Sequence, residues 1–224
     1  MTPREMAKAV MLVTAFCLMP KGRAYLWSIP TWGVYTGDGF RLARHVLDCY
    51  PTTDQLAIPP QIFITGPDNL LLAEHGEEIK ASHLSQWLID QGVPSDAIIS
   101  DDDPTSQYTH GQAKRLIQAA LEYGWGKVAL FASGHHMLRS WLTTIAQLNK
   151  MGVSPERLLV VPEPGYLLNF DRKNPELKGQ PTAWELFTQE AIPRIDKYQD
   201  KEPPDVATWD MAMDYLHIHG LDNA

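Results

Sequence analysis

The chain has 224 residues, 44% of them hydrophobic and 21% charged, which is enough for one large α/β domain with a substantial core. Its formal net charge of −8 excludes nucleic acid and anionic membrane as main partners, while leaving room for a small anionic ligand that responds to local charge. The two cysteines, Cys17 and Cys49, form no CxxC or other metal spacing, so they read as buried free thiols and no metal is assigned.

In chain order, Arg4 and Lys8 precede an apolar run over residues 9–19, the outline of a short signal peptide. The run is too short to span a bilayer. It ends in Met19-Pro20-Lys21-Gly22-Arg23 with no small-x-small cleavage site, so residues 9–16 read as a buried first strand of a cytoplasmic protein. A signal peptide there would instead make the protein periplasmic. Residues 20–36, with their aromatic residues and prolines, read as a long loop over the sheet's edge. Four further strands are predicted over 61–65, 97–100, 127–132 and 157–161, each short, apolar and closed by polar or turn residues.

Helices are predicted over 80–91, 109–123 and 136–150, each with one apolar stripe and each followed by glycine: Gly92, Gly124 and Gly152. Residues 162–181 read as a second irregular excursion, and the tail from Trp184 returns to helical spacing. This alternation predicts a Rossmann-like open parallel sheet of about five strands with helices on both faces. It forms one domain over 1–224, with a core at about 9–164 and a helical extension at about 182–220.

In such sheets ligands bind beyond the carboxyl ends of the strands, beside helix N-termini whose free amides favour anions. That rule selects the segments 65–68, 101–109, 133–136 and 162–164. In the third, a strand runs through Ser133-Gly134 into a helix carrying His136 and, one turn on, Arg139. The bland alternative is that Ser133 caps the helix and His136 fills its first turn. Thr109-x-x-Gln112 likewise fits a capping box. The acidic run Asp101-Asp102-Asp103 reads as a solvated turn before it reads as a metal site.

At these segments the sequence resembles a bacterial family of unknown function that includes YdcF, SanA and ElyC. The resemblance rests on Ile64-Thr65-Gly66-Pro67, Gly92-Val93-Pro94, the stretch Ser106-Gln107-Tyr108-Thr109-His110-Gly111-Gln112, and Ala132-Ser133-Gly134-His135-His136-Met137-Leu138-Arg139, in the family's order and spacing. Arg41, after Thr36-Gly37-Asp38-Gly39, falls where the family has an early arginine. The chain departs from the pattern at Lys80, where an acid is expected, at Gly111 and Gln112, where the family has Glu-Asn, and at Pro67, where it has a second glycine.

The resemblance implies a Rossmann-like fold and, from one relative described as binding it, S-adenosylmethionine as a possible ligand. The resulting expectation is a binding protein or enzyme for a small nucleotide-like or phosphorylated molecule. Arg41, Lys80, His136 and Arg139 would supply cationic or donor groups, and Thr65, Gly66, Asp101, Ser106, Thr109, Gln112 and Ser133 hydrogen bonds or close backbone approach. No catalytic residue is assigned. Two other classes compete: a serine hydrolase using Ser133 with a late histidine such as His217, although the G-x-S-x-G elbow is missing, and a degenerate, non-catalytic module that contacts a protein.

Overall fold

A computed structural model describes residues 26–36, 39–51, 56, 58–66, 80–165, 182, 185 and 192–220 of the chain. Five strands make up one sheet: β1 (Thr31–Tyr35), β2 (Gln61–Thr65), β3 (Ile98–Asp101), β4 (Lys127–Ser133) and β5 (Leu159–Gly165). Their order is β3-β2-β1-β4-β5, and every neighbouring pair is parallel. This is the open, doubly wound α/β arrangement that the alternation of short apolar runs and amphipathic helices predicts.

One expectation needs correction. The central strand of the sheet is Thr31–Tyr35, inside the segment read as a loop over the sheet's edge, and residues 9–16 lie outside the described part of the chain. All five residues of β1 are buried. Its sequence, Thr-Trp-Gly-Val-Tyr, is rich in aromatic and β-branched side chains that suit a strand covered on both faces. The interrupting Gly33 and the preceding Pro30 hide it from a reading based on apolar runs.

Six described helices follow: α1 (Gly39–Cys49), α2 (Ala81–Asp90), α3 (Thr109–Tyr123), α4 (Gly134–Lys150), α5 (Ile192–Gln199) and α6 (Trp209–Ile218). Strand alternation sends successive side chains to opposite faces. Trp32, Val34, Ile62, Ile64, Ala129 and Phe131 pack with Leu42 and Val46 of α1 and Leu84 and Leu88 of α2. Tyr35, Phe63, Val128 and Leu130 pack on the other face with Leu116 of α3, Trp141 of α4 and Tyr215 of α6. No helix among the described residues is long and apolar enough to cross a membrane.

The predicted C-terminal extension has a structural task. Strand β5 is outermost on its side, and an uncovered edge would leave backbone groups unpaired. The Tyr215 hydroxyl accepts from the Val160 amide and donates to the Leu158 carbonyl, both at 2.7 Å, and the Trp141 indole donates to the Val160 carbonyl at 3.0 Å. Two helices therefore close the edge with side chains. Burial raises the Tyr215 hydroxyl's pKa far above its ordinary value, so it stays protonated and can donate. Further on, Asp205 receives Lys150 of α4 and Lys201, each at 2.6 Å, and the Ala207 amide donates to the Leu142 carbonyl at 3.0 Å.

Tyr215→Phe removes one hydroxyl and strands two buried backbone groups. Unfolding by denaturant should register a loss of about 1–3 kcal/mol with an unchanged slope, whereas a neutral result would mean that the edge is satisfied in another way.

Candidate functional site

The strand order reverses between β1 and β4: the chain leaves β1 toward β2 and leaves β4 toward β5. The segments after these two strands diverge there and open a crevice. Thr36 follows β1 on one side of it, and Ser133 ends β4 on the other. Helices α1 and α4 both begin at this end of the sheet, so their unpaired amides face it.

Thr36 organises the β1–β2 side. Its hydroxyl donates to the Gly66 carbonyl at 2.9 Å and accepts from the Gln112 side-chain amide at 3.3 Å, and all three groups are buried. Gly66 has φ +99°, a left-handed conformation, and a Cβ there would fall on the Gln112 amide. Gln112 thus packs on bare backbone. The capping-box reading of Thr109 and Gln112 is corrected accordingly. The cap of α3 is Tyr108, without a side-chain cap bond, and Gln112 is used in tertiary contact.

Thr109 is turned to α4. Its hydroxyl lies 3.2 Å from His136 Nε2 and accepts from an Arg139 guanidinium nitrogen at 3.3 Å, while a second nitrogen of Arg139 meets His136 Nδ1 at 2.8 Å. A guanidinium only donates, so the His136 ring accepts from Arg139, one nitrogen of which lies 2.8 Å from Nδ1 and 3.4 Å from Nε2. Three residues from two helices therefore form one polar group at the mouth of the crevice, all part-buried.

Ser133 behaves differently from a capping serine. It stands at the N-cap position of α4 yet makes no side-chain cap bond. Its hydroxyl is buried and has no hydrogen-bond partner among the described residues. Such a group costs roughly 1–3 kcal/mol when left unsatisfied and calls for an explanation in terms of what it meets in use.

Other expected ligand residues are committed to the fold. The Asp101 carboxylate accepts two bonds from Arg115, at 2.8 and 2.9 Å, and a third from the Thr65 hydroxyl at 3.1 Å. The Ser106 hydroxyl is fully buried and donates to the Asp103 carbonyl. Asp102 accepts from the Ser82 amide in the first turn of α2 at 3.1 Å, and Asp103 from the Thr105 amide and hydroxyl. Each of the three successive aspartates thus has a protein partner, which accounts for the acidic run without a metal.

Arg41 lies in the first turn of α1 and Lys80, exposed, caps α2, so both stand at helix starts on this end of the sheet. Pro67 lies outside the described residues. His217 is exposed on α6, whose Tyr215 binds Leu158 and Val160 at the opposite end of β5. Val160 pairs with Val128, five strand residues and roughly 16 Å short of Ser133. The pairing of Ser133 with His217 as a hydrolytic dyad is therefore corrected: the two sit at opposite ends of the sheet.

Sequence reasoning passed over three contributors. Thr36 lay in a segment read as loop, and Arg115, within the predicted helix 109–123, carried no assignment. Tyr108, 63% exposed at the start of α3, stacks its ring on His110 at 5.9 Å and an interplanar angle of 11°.

Compared with protein-family models, with curated proteins and with solved structures, the chain matches none.

Gly111 explains its own identity. A Cβ there would fall on the backbone carbonyl oxygen of Thr105, because the first turn of α3 rests directly on the turn Pro104–Gln107. Gly111→Ala should lower stability by about 1–3 kcal/mol despite alanine's higher helix propensity. Gly126→Ala, which meets nothing within 4 Å, should change it by less than about 0.5 kcal/mol. Equal melting temperatures for the two variants would refute the close approach.

Proposed function

We propose that the chain binds a small phosphorylated or nucleotide-like molecule in the crevice between β1 and β4, as a divergent relative of the YdcF-like proteins. The observation that carries this reading is the Ser133 hydroxyl, buried and unpartnered at the start of a 17-residue helix. A phosphate or carboxylate oxygen would accept from that hydroxyl and from the first amides of α4, where the helix dipole favours negative charge. Arg139 would donate to further oxygens with charge-assisted strength, its guanidinium held in place by His136 and Thr109. Tyr108, exposed one residue before Thr109 and stacked on His110, is the nearest aromatic ring in sequence on which a base could stack.

Binding is the better-supported half of the proposal. The Ser133 hydroxyl has no base within hydrogen-bond reach among the described residues, and the ring nitrogens of His136 are engaged with Arg139 and Thr109. A nucleophilic serine needs such a base. S-adenosylmethionine belongs among the ligands to be tried, since its adenosine and carboxylate match the aromatic and cationic groups of the crevice. A cytoplasmic location belongs to the same proposal.

Native mass spectrometry of the purified protein should reveal a retained small molecule. Calorimetric titration with AMP, S-adenosylmethionine and inorganic phosphate should then rank the classes. Arg139→Ala should weaken retention at least tenfold, about 1.4 kcal/mol, with little change in melting temperature. Ser133→Ala should also weaken binding while leaving the free protein as stable or slightly more so, because it removes an unsatisfied buried hydroxyl. If none of the three compounds binds and no molecule is released on denaturation, the proposal fails.

A further inference from the structure

On the face of the sheet covered by α1 and α2, three metal-ligating side chains converge, one of them Glu163 from the strand-end segment 162–164, paired in register with Phe131 two residues before Ser133. His45 and Cys49 are four residues apart on α1 and so share one helix face. Glu163 comes from β5. It lies two residues after Val161, and Val161 and Leu159 both pack into the core beneath α1 and α2. By strand alternation, Glu163 continues this apolar row with a carboxylate. Packing alone gives no reason for an acid there.

The donor atoms are already close. Cys49 Sγ lies 3.8 Å from His45 Nε2, and His45 Nε2 lies 3.7 Å from Glu163 Oε1. All three donor atoms fall within 4.8 Å of one another. Tetrahedral zinc with ordinary bond lengths requires edges of roughly 3.5 Å between sulfur and nitrogen and roughly 3.4 Å between nitrogen and oxygen. Contractions of a few tenths of an ångström bring the two edges at His45 to that geometry, and the edge between Cys49 Sγ and Glu163, within 4.8 Å, closes by up to about 1 Å through side-chain rotation. The side chains of His45 and Glu163 are 21% and 14% accessible, and Cys49 is buried at 9%. The cluster is sheltered yet open on one side.

We propose that His45, Cys49 and Glu163 bind one divalent transition-metal ion of the zinc class, with three protein ligands and a fourth position left for solvent or a small molecule. A thiolate and an imidazole select zinc or cobalt(II) over magnesium or calcium, which take oxygen ligands. A metal ion there would be held by the His45 Nε2 lone pair, the Cys49 thiolate and a Glu163 carboxylate oxygen. Two neighbours stiffen the surroundings: the Trp27 indole donates to the Cys49 carbonyl at 2.9 Å, and the Phe131 ring sits 5.8 Å from the His45 ring.

The test uses the full chain, reduced, stripped with a chelator and titrated with cobalt(II), followed by competition with zinc. One equivalent should bind with a thiolate-to-cobalt charge-transfer band and tetrahedral d–d absorption, and zinc should displace it. Cys49→Ser should abolish the charge-transfer band. His45→Gln and Glu163→Gln should each weaken zinc binding roughly a hundredfold or more while retaining the wild-type circular dichroism of the metal-free protein. A charge-transfer band that survives in Cys49→Ser would assign the thiolate to Cys17 and overturn the site. Zinc affinity unchanged in both His45→Gln and Glu163→Gln would overturn it as well, as would a wild-type chain that shows no charge-transfer band at all. Since the Gln variants leave both thiols in place, the test stands even if Cys49→Ser fails to fold.

Discussion

Helix α3 can lie as low on the sheet as it does because the central strand carries no side chain at Gly33. A Cβ there would come within 2.8 Å of a Leu116 methyl and 3.3 Å of a Val128 methyl, so the place is filled by α3 itself. Seating Leu116 in that gap fixes the height of the helix over β1. The residues one and two turns earlier then fall beyond the strand ends. Gln112 reaches Thr36 and the backbone at Gly66, and Thr109 reaches His136 and Arg139 on α4. The polar groups of the crevice are thus set by an apolar contact at the middle of the sheet, in keeping with the dense packing of protein interiors.

A second clamp holds the middle of the same helix, one residue before Leu116. Asp101 ends β3, and its carboxylate is gripped bidentately by Arg115 while also receiving Thr65 from β2. The pair is only partly buried, with Arg115's side chain 35% accessible. Its value lies less in energy than in orientation, because a planar guanidinium facing a carboxylate permits few arrangements. Together with the contact of Gly111 on the turn Pro104–Gln107, it leaves α3 little freedom to slide. Thr65, Asp101 and Ser106 are therefore committed to the β2–β3 side of the sheet, whereas Thr109, His136 and Arg139 meet between α3 and α4.

How much of this was legible in the sequence depends on whether the signal was periodic. The strands at 61–65, 98–101, 127–133 and 159–165 and the helices α2, α3 and α4 carry apolar runs or stripes bounded by turn residues, and each is found within a few residues of its expected place. The central strand was missed because Gly33 interrupts its apolar run and Pro30 precedes it, although Gly33 is what the packing of α3 demands. Helix α1 was missed as well, since its stripe of Leu42, Ala43, Val46 and Cys49 is short and lies among charges. The segments at the strand ends were located by the general rule for open parallel sheets. What spacing could not tell was the division of labour within them, since Asp101 and Arg139 differ only in the partners that tertiary structure brings to them.

The same distinction separates the two polar clusters of the molecule. A cap explains a serine at a helix start and a solvated turn explains an acidic run, and both explanations were available from sequence. The aspartates are partnered within the protein, and Asp101, buried at the end of β3 against Arg115, is a structural anchor where a solvated turn was expected. Ser133 lost its capping account, because its hydroxyl is withdrawn from water without meeting its helix. His45 and Cys49 stand four residues apart on α1, a helix the sequence did not reveal, and Glu163 comes from a strand more than a hundred residues away. Burial makes the difference in each case. A polar group at the surface explains itself through water, whereas Ser133, held inside without a partner among the described residues, calls for an explanation beyond its own helix.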